Sequence, residues 1–123
     1  KINNFILIDP SYEIKEDFDK IINILKNVEK FENSKILIWY PILSYDTNDL
    51  FIEQIRKVGI NNLINLELPI YNDIEMKGMK GSGLLIINFN KKIIFNHLKN
   101  LIKDLYNLLK NNEEVYKPKI RYL

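Results

Sequence analysis

Two apolar runs constrain this chain more than any other feature: Asn4 to Ile8, NFILI, and Lys35 to Tyr40, KILIWY. Neither alternates apolar with polar residues as a strand with one wet face does. Both suit strands buried on two faces, which occur where helices cover a parallel sheet. The segments around them agree. Lys15 to Glu32 reads as an amphipathic helix with Phe18, Ile21, Ile22, Leu25 and Val28 on one face and Glu16 and Asp17 near its positive end. Asp46 or Thr47 is expected to cap a second helix through Val58, striped by Leu50, Ile55 and Val58 and stopped by Gly59. Pro41 should end the second strand. A third strand is predicted at Asn62 to Ile70 and a fourth at Ser82 to Phe89, with an eleven-residue connection too long for a tight hairpin. Lys92 to Lys110 is the longest predicted helix, with Ile94, Leu98, Leu101, Ile102, Leu105, Leu108 and Leu109 at helical spacing. The last dozen residues read as a tail. Strand, helix, strand, helix, strand is the pattern of an α/β fold.

Composition narrows the chemistry. A chain of 123 residues fits one small domain, and its 46% apolar and 28% charged residues suit a packed core. With no cysteine, disulfides, thiolate metal sites and cysteine nucleophiles are excluded. No apolar run approaches the roughly 20 residues that span a bilayer, and no signal peptide is visible, so a cytoplasmic protein with no membrane partner is expected. The net charge of +2 does not announce a nucleic-acid binder, although eighteen Lys and Arg residues leave room for basic patches. His97, the single histidine, falls among asparagines and lysines and reads as a surface residue. Glu113 and Glu114 form an acidic pair in the tail, and no metal constellation is visible. The start at Lys1, so close to the first strand, suggests a piece of something longer.

The first strand ends in Asp9-Pro10-Ser11-Tyr12. An unpaired carboxylate is costly inside a protein. In parallel sheets, ligands bind beyond the carboxyl ends of the strands, where Asp9, Tyr40 and Pro41 would stand. A magnesium-binding aspartate of a P-loop enzyme would need a glycine-rich phosphate loop, which is absent. A receiver-domain phosphoacceptor would need an acidic pair on an earlier strand, also absent. The structural alternative is an aspartate capping the following turn, with a tyrosine packed on the sheet. The tetrapeptide also resembles the [Asp/Asn]-Pro-Pro-[Tyr/Phe] motif of amino-methyltransferases that use S-adenosylmethionine, with Ser11 in place of the second proline. The exocyclic amine of adenine is a poor nucleophile because its lone pair is delocalised into the ring. Hydrogen bonds from that amine to Asp9 and to the carbonyl of Pro10 would favour a pyramidal nitrogen. Proline there fixes φ and carries no competing donor. Tyr12 would stack on a base drawn out of its helix.

The runs FILIDPSYEIKEDF, ILIWYPIL, LELPI and GMKGSGLLIIN, in this order and spacing, resemble the RlmJ family of 23S ribosomal RNA adenine-N6 methyltransferases from about Phe5 to Leu109. The resemblance implies a Rossmann-like class I methyltransferase fold and S-adenosylmethionine as cofactor. It implies Asp9, Pro10 and Tyr12 as catalytic residues, with Asp9 and Pro10 also beside the cofactor. Ser11, Trp39, Tyr40 and Pro41 would lie near the substrate. Gly78, Met79, Gly81, Ser82 and Gly83 match the family's glycine-rich segment, and Lys77, Gly78, Lys80 and Gly81 become candidates for contact with RNA phosphates. The family's cofactor-binding N-terminal half has no counterpart here. In the usual strand order 3-2-1-4-5-7-6 this chain would supply strands 4 to 7, the last antiparallel, as a C-terminal half over residues 1–112 with a tail over 113–123. The first strand would then lack its neighbour and invite self-association. The isolated chain would be inactive and bind cofactor weakly, and the expected partner of the parent protein is protein-free or nascent 23S ribosomal RNA. Two other readings stay open. One is a truncated, non-enzymatic module that touches nucleic acid through Lys77, Lys80, Lys91 and Lys92. The other is a DNA adenine methyltransferase, since the motif chemistry does not distinguish the two sugars.

Overall fold

The computed structural model describes residues 4–71, 78–110 and 116–123. In chain order the elements are β1 (Asn4–Ile8), α1 (Glu16–Lys26), a short 3-10 turn (Val28–Phe31), β2 (Ser34–Ile42), α2 (Tyr45–Val58), β3 (Leu63–Pro69), β4 (Gly81–Ile87), α3 (Lys91–Leu109) and β5 (Lys119–Tyr122). The strands form one sheet in the order β1-β2-β4-β3-β5. β1 and β2 are parallel, whereas β4 runs antiparallel to both β2 and β3. The carboxyl ends of β1, β2 and β3 therefore share one end of the sheet.

Each face of the sheet has its own core. Ile36, Ile38, Ile42, Leu85 and Ile87 pack with Ile21 and Leu25 of α1 and Phe51, Ile52 and Ile55 of α2. On the other face Ile64, Leu66 and Ile86 pack with Ile102 of α3. Truncating one such isoleucine or leucine to alanine costs about 2–5 kcal/mol, since the surroundings close the cavity only in part. β1 is unevenly covered. Ile6 and Ile8 join the first core. Phe5 and Leu7, on the α3 side, remain 61% and 62% exposed. β1 is also an edge strand without a charged side chain to guard it.

Several expectations change at this level. The first helix stops at Lys26, because Asn27 leaves helical geometry and donates its side-chain amide to Asn23 O at 2.9 Å. Ser44, rather than Asp46 or Thr47, caps α2 by accepting from Thr47 N at 3.2 Å. The stripe of α2 is turned accordingly, so that Phe51, Ile52 and Ile55 are buried and Leu50 is exposed. Pro41 does not end β2, which runs on to Ile42 opposite Gly81. Ile42 O faces β4, where it accepts from Lys80 N, so the ring nitrogen of Pro41 faces the side that β1 has left after Ile8. A missing N–H is tolerated there.

The predicted tail is the largest correction: Lys119 to Tyr122 add β5 to the sheet, antiparallel to β3. A buried carboxylate explains it. Glu67 of β3 is only 4% exposed, and its Oε1 accepts from Tyr40 OH, Asn48 Nδ2 and the Arg121 guanidinium, each at 3.0 Å. Arg121 also donates to Asn65 Oδ1 at 3.0 Å, and Asn65 donates to Tyr40 OH at 2.7 Å. Gly83 stands opposite Tyr40 on β4, where any Cβ would collide with the Tyr40 ring. Removing one partner of a buried ion pair strands the other. Arg121→Leu should therefore lower the unfolding free energy by about 3 kcal/mol in urea denaturation, and adding Glu67→Gln should recover part of that loss. Full stability in Arg121→Leu would show that β5 is held by other contacts.

Candidate active site

β1 ends in register with Ile38 of β2, so the next β2 carbonyl facing that side, Trp39 O, has no ladder partner. The loop that follows β1 supplies one. Tyr12 OH donates to Trp39 O at 2.5 Å, joining the loop to the end of β2. The Tyr12 ring is 7% exposed and packs on Phe18 and Trp39, with centroids 4.8 and 5.9 Å away. Tyr12 also adopts φ 54°, a left-handed conformation that costs a non-glycine residue energy and recurs at functional sites. The loop is thus held at one point by a buried phenol and bent by its backbone.

Asp9 stands at the mouth of this loop, exposed to solvent. Among the described residues it makes no hydrogen bond or ion pair, and α1, whose N-cap residue is Lys15, has no side-chain cap. A turn-capping role for Asp9 is therefore excluded, while Tyr12 does pack on the sheet. Pro10 is half-buried and Ser11 exposed. Beside the loop, a cleft of about 500 Å³ opens between α1 and the start of α2, lined by Tyr12, Lys15, Phe18, Pro41, Thr47, Asn48 and Phe51 among others.

The remaining candidates separate. Trp39 is half-buried beneath Tyr12, and Pro41 lines the cleft. Tyr40 is fully buried, turned into the core toward Glu67, and offers no surface to a substrate. The glycine-rich segment does reach this end of the sheet, since Lys80 N donates to Ile42 O and Lys80 O accepts from Ile70 N and Tyr71 N. Lys80 itself is buried, with Nζ donating to Gly78 O at 3.2 Å, so its ammonium is committed to the protein. Gly81 is buried where a Cβ would meet the Leu68 carbonyl oxygen and Pro69, so close approach of β3 and β4 requires glycine there. Gly78 is exposed, and Lys77 lies outside the described residues. The cleft residues Phe18, Thr47, Asn48 and Phe51 were not singled out for the site from sequence. Their one signal was position, in the first turns of helices that follow strand carboxyl ends. Among the described residues no cluster of His, Asp and Glu could hold a metal ion, and no helix is long and apolar enough to cross a membrane.

A mixed sheet flanked by helices, with an exposed aspartate in an Asp-Pro-x-Tyr turn at the end of a parallel strand, defines a methyltransferase-like α/β domain. The comparisons make the class more specific. Residues 2–116 match the family model described as Ribosomal RNA large subunit methyltransferase D, RlmJ, and the chain belongs to that family. It is 30% identical over 84 residues to Ribosomal RNA large subunit methyltransferase J of Haemophilus influenzae, covering 68% of this chain and 30% of that protein. The Escherichia coli protein of the same name is 31% identical over 84 residues, with the same coverage. A crystal structure of a Legionella pneumophila protein superposes with a TM-score of 0.77 at 27% identity, over 95% of this chain and 42% of the other. The chain thus matches about a third of the length of its curated relatives.

The anchoring phenol has a pH signature. Burial first, and then the carboxylates of Asp9 and Asp17, raise the Tyr12 pKa above the ordinary tyrosine value of 10.0. Tyr40 is raised likewise, by burial and then by the Glu67 carboxylate. The folded state holds these protons more tightly than the unfolded state, so the stability they carry is intact below about pH 10 and is lost as pH rises beyond it. Unfolding free energies from urea titrations should fall as pH rises above about 10, and fall less in Tyr12→Phe. Identical slopes for the two proteins would mean that Tyr12 is not buried in this way.

Proposed function

We propose that this chain is the C-terminal half of a methyltransferase that transfers a methyl group from S-adenosylmethionine to the exocyclic amine of an adenine in 23S ribosomal RNA. The observation that carries this reading is Asp9: an exposed carboxylate, without a partner among the described residues, at the end of a parallel strand in a chain of the RlmJ family. The relatives are named as ribosomal RNA large subunit methyltransferases, which supports an RNA substrate. The strand order supports the half-domain assignment, since β1-β2-β4-β3 corresponds to 4-5-7-6 of the order expected for the whole fold. The open edge and the exposed Phe5 and Leu7 support a sheet that continues beyond β1 in the intact protein. In the isolated chain a second copy would cover that edge. A cytoplasmic location accords with a ribosomal RNA substrate.

The residues present fit such chemistry. S-adenosylmethionine, when bound, supplies the methyl group on a sulfonium, and of this chain only Asp9 and Pro10 are assigned to its neighbourhood. Asp9 accepts one proton of the target amine in a hydrogen bond, and the carbonyl of Pro10 accepts the other. The nitrogen would become pyramidal with its lone pair free for attack. As the N–C bond formed and the sulfonium S–C bond broke to leave a neutral thioether, the positive charge developing on nitrogen would lie against the Asp9 carboxylate until the surplus amine proton passed to solvent. Tyr12 fixes the turn that presents these acceptors. In the described conformation its ring is covered by Phe18 and Trp39, so stacking on a flipped base would require the ring to be uncovered.

The test uses the gene product from its natural start, with labelled methyl transfer to protein-free 23S ribosomal RNA as the readout. Asp9→Ala should lower transfer by about 100-fold or more. It should leave thermal stability unchanged, because Asp9 makes no hydrogen bond or ion pair among the described residues. Asp9→Asn keeps an acceptor oxygen and should retain more activity than Asp9→Ala. Undiminished transfer by a folded Asp9→Ala protein would remove Asp9 from the mechanism.

A further inference from the structure

Charge is divided unevenly along this chain. Residues 1–90 carry ten Lys and Arg against thirteen Asp and Glu, net −3, whereas residues 91–123 carry eight against three, net +5. The basic segment includes α3 and β5, and between them lies a groove of about 490 Å³ lined by Lys99, Ile102, Lys103, Pro118, Lys119, Ile120 and Arg121, with no acidic side chain among the described residues. Arg121 is committed to Glu67 and Asn65. The ammonium groups of Lys99, Lys103 and Lys119 have no partner among the described residues, and all three side chains are exposed.

The arrangement along α3 is regular. At 3.6 residues per turn, Lys92, Lys99 and Lys103 fall within about 40° of one another around the helix, a line that Lys110 continues just past its end. Asp104, the single acidic residue of α3, lies about 100° or more away from this line. The row therefore presents positive charge over about 16 Å from Lys92 to Lys103. Among the described residues β5 pairs with β3 alone, so its outer edge adds unpaired backbone N–H groups beside the groove. The cleft beside the Tyr12 loop has the opposite character, lined by Glu13 and Asp19 with Lys15 as its one basic residue among those described.

We infer that the α3–β5 groove and the lysine row bordering it bind the sugar-phosphate backbone of the RNA substrate, as a site apart from the loop that carries Asp9. A chain of phosphates suits a row of exposed ammonium groups and free N–H donors, and such contacts position an RNA without reading its sequence. The identity of the polyanion rests on the ribosomal RNA reading above. The site replaces Lys80, whose ammonium is turned into the protein.

Filter binding of radiolabelled, protein-free 23S ribosomal RNA to the protein from its natural start tests this. Lys99→Glu/Lys103→Glu should weaken binding about 10-fold or more at about 100 mM salt and flatten the salt dependence by about 1.4 in log–log slope, as expected for two lost contacts to a single strand. Lys99→Arg/Lys103→Arg should bind as the unmodified protein does. Lys26→Glu/Lys57→Glu, the same change of charge on the α1–α2 side, should alter affinity by less than about 2-fold. Equal losses for the two Glu pairs, or none for Lys99→Glu/Lys103→Glu, would overturn the assignment. Because binding is read without catalysis, Asp9-dependent methyl transfer with groove-independent binding sinks the groove alone. Groove-dependent binding without methyl transfer upholds the groove and sinks the enzyme reading.

Discussion

A carboxylate buried on β3, between β4 and the edge strand β5, is the constraint on which the rest of this structure depends. Glu67 cannot stay charged and unpaired where it lies, so donors must come to it from several elements. Tyr40 reaches it from β2, Asn48 from α2 and Arg121 from β5. Asn65 on β3 ties Tyr40 to Arg121 in turn. β4 contributes by subtraction, since Gly83 leaves the space that the Tyr40 ring occupies. One polar group thus fixes the lateral order of three strands and the docking of a helix. No buried side-chain polar atom among the described residues lacks a partner, so the network carries no stranded group.

The candidate site inherits its geometry from the same sheet. β1 is shorter than β2 and stops beside Ile38, leaving the end of β2 with a free carbonyl and a proline whose missing donor costs nothing. Tyr12 fills the vacancy at Trp39 O and sets the turn of the loop. Asp9 is exposed as a consequence. Its neighbours face the protein while its own carboxylate faces solvent, a placement that core packing has no use for and that binding chemistry does. The division of charge adds a second consequence, because the acidic cleft beside the Tyr12 loop and the basic groove on α3 and β5 offer a polyanion two unlike surfaces on one small domain.

Much of the architecture was legible in the sequence because its signals are local. Apolar runs without alternation announced β1 and β2, and helical spacing announced α1 and α3. The motif at Asp9 was legible through its resemblance to the [Asp/Asn]-Pro-Pro-[Tyr/Phe] pattern, with a turn-capping aspartate and a tyrosine packed on the sheet as the other reading. Other features depended on distant partners. β5 reads as a polar tail, because KIRY shows no reason to pair until Glu67 and Asn65 are placed opposite Arg121 and Lys119. Tyr40 looked like a pocket residue because it ends an apolar run, yet strand alternation and Gly83 direct it inward. Lys80 looked like a free cation because glycines flank it, whereas its ammonium lies on the Gly78 carbonyl.

What the sequence by itself determined is the set of elements from β1 to α3, the burial of β2 on both faces and the identity of the loop that carries Asp9, which follow from periodicity and from residues adjacent in the chain. What only the tertiary structure decided is which polar side chains are committed and which are free. Tyr12, Tyr40, Lys80 and Arg121 are committed, while Asp9, Lys99 and Lys103 have no partner among the described residues. For Tyr12, Tyr40 and Arg121 that distinction depends on partners dozens of positions away, brought within hydrogen-bond reach only when the sheet closes its order, and for Lys80 it depends on a backbone turn that sets its ammonium on the Gly78 carbonyl two positions earlier.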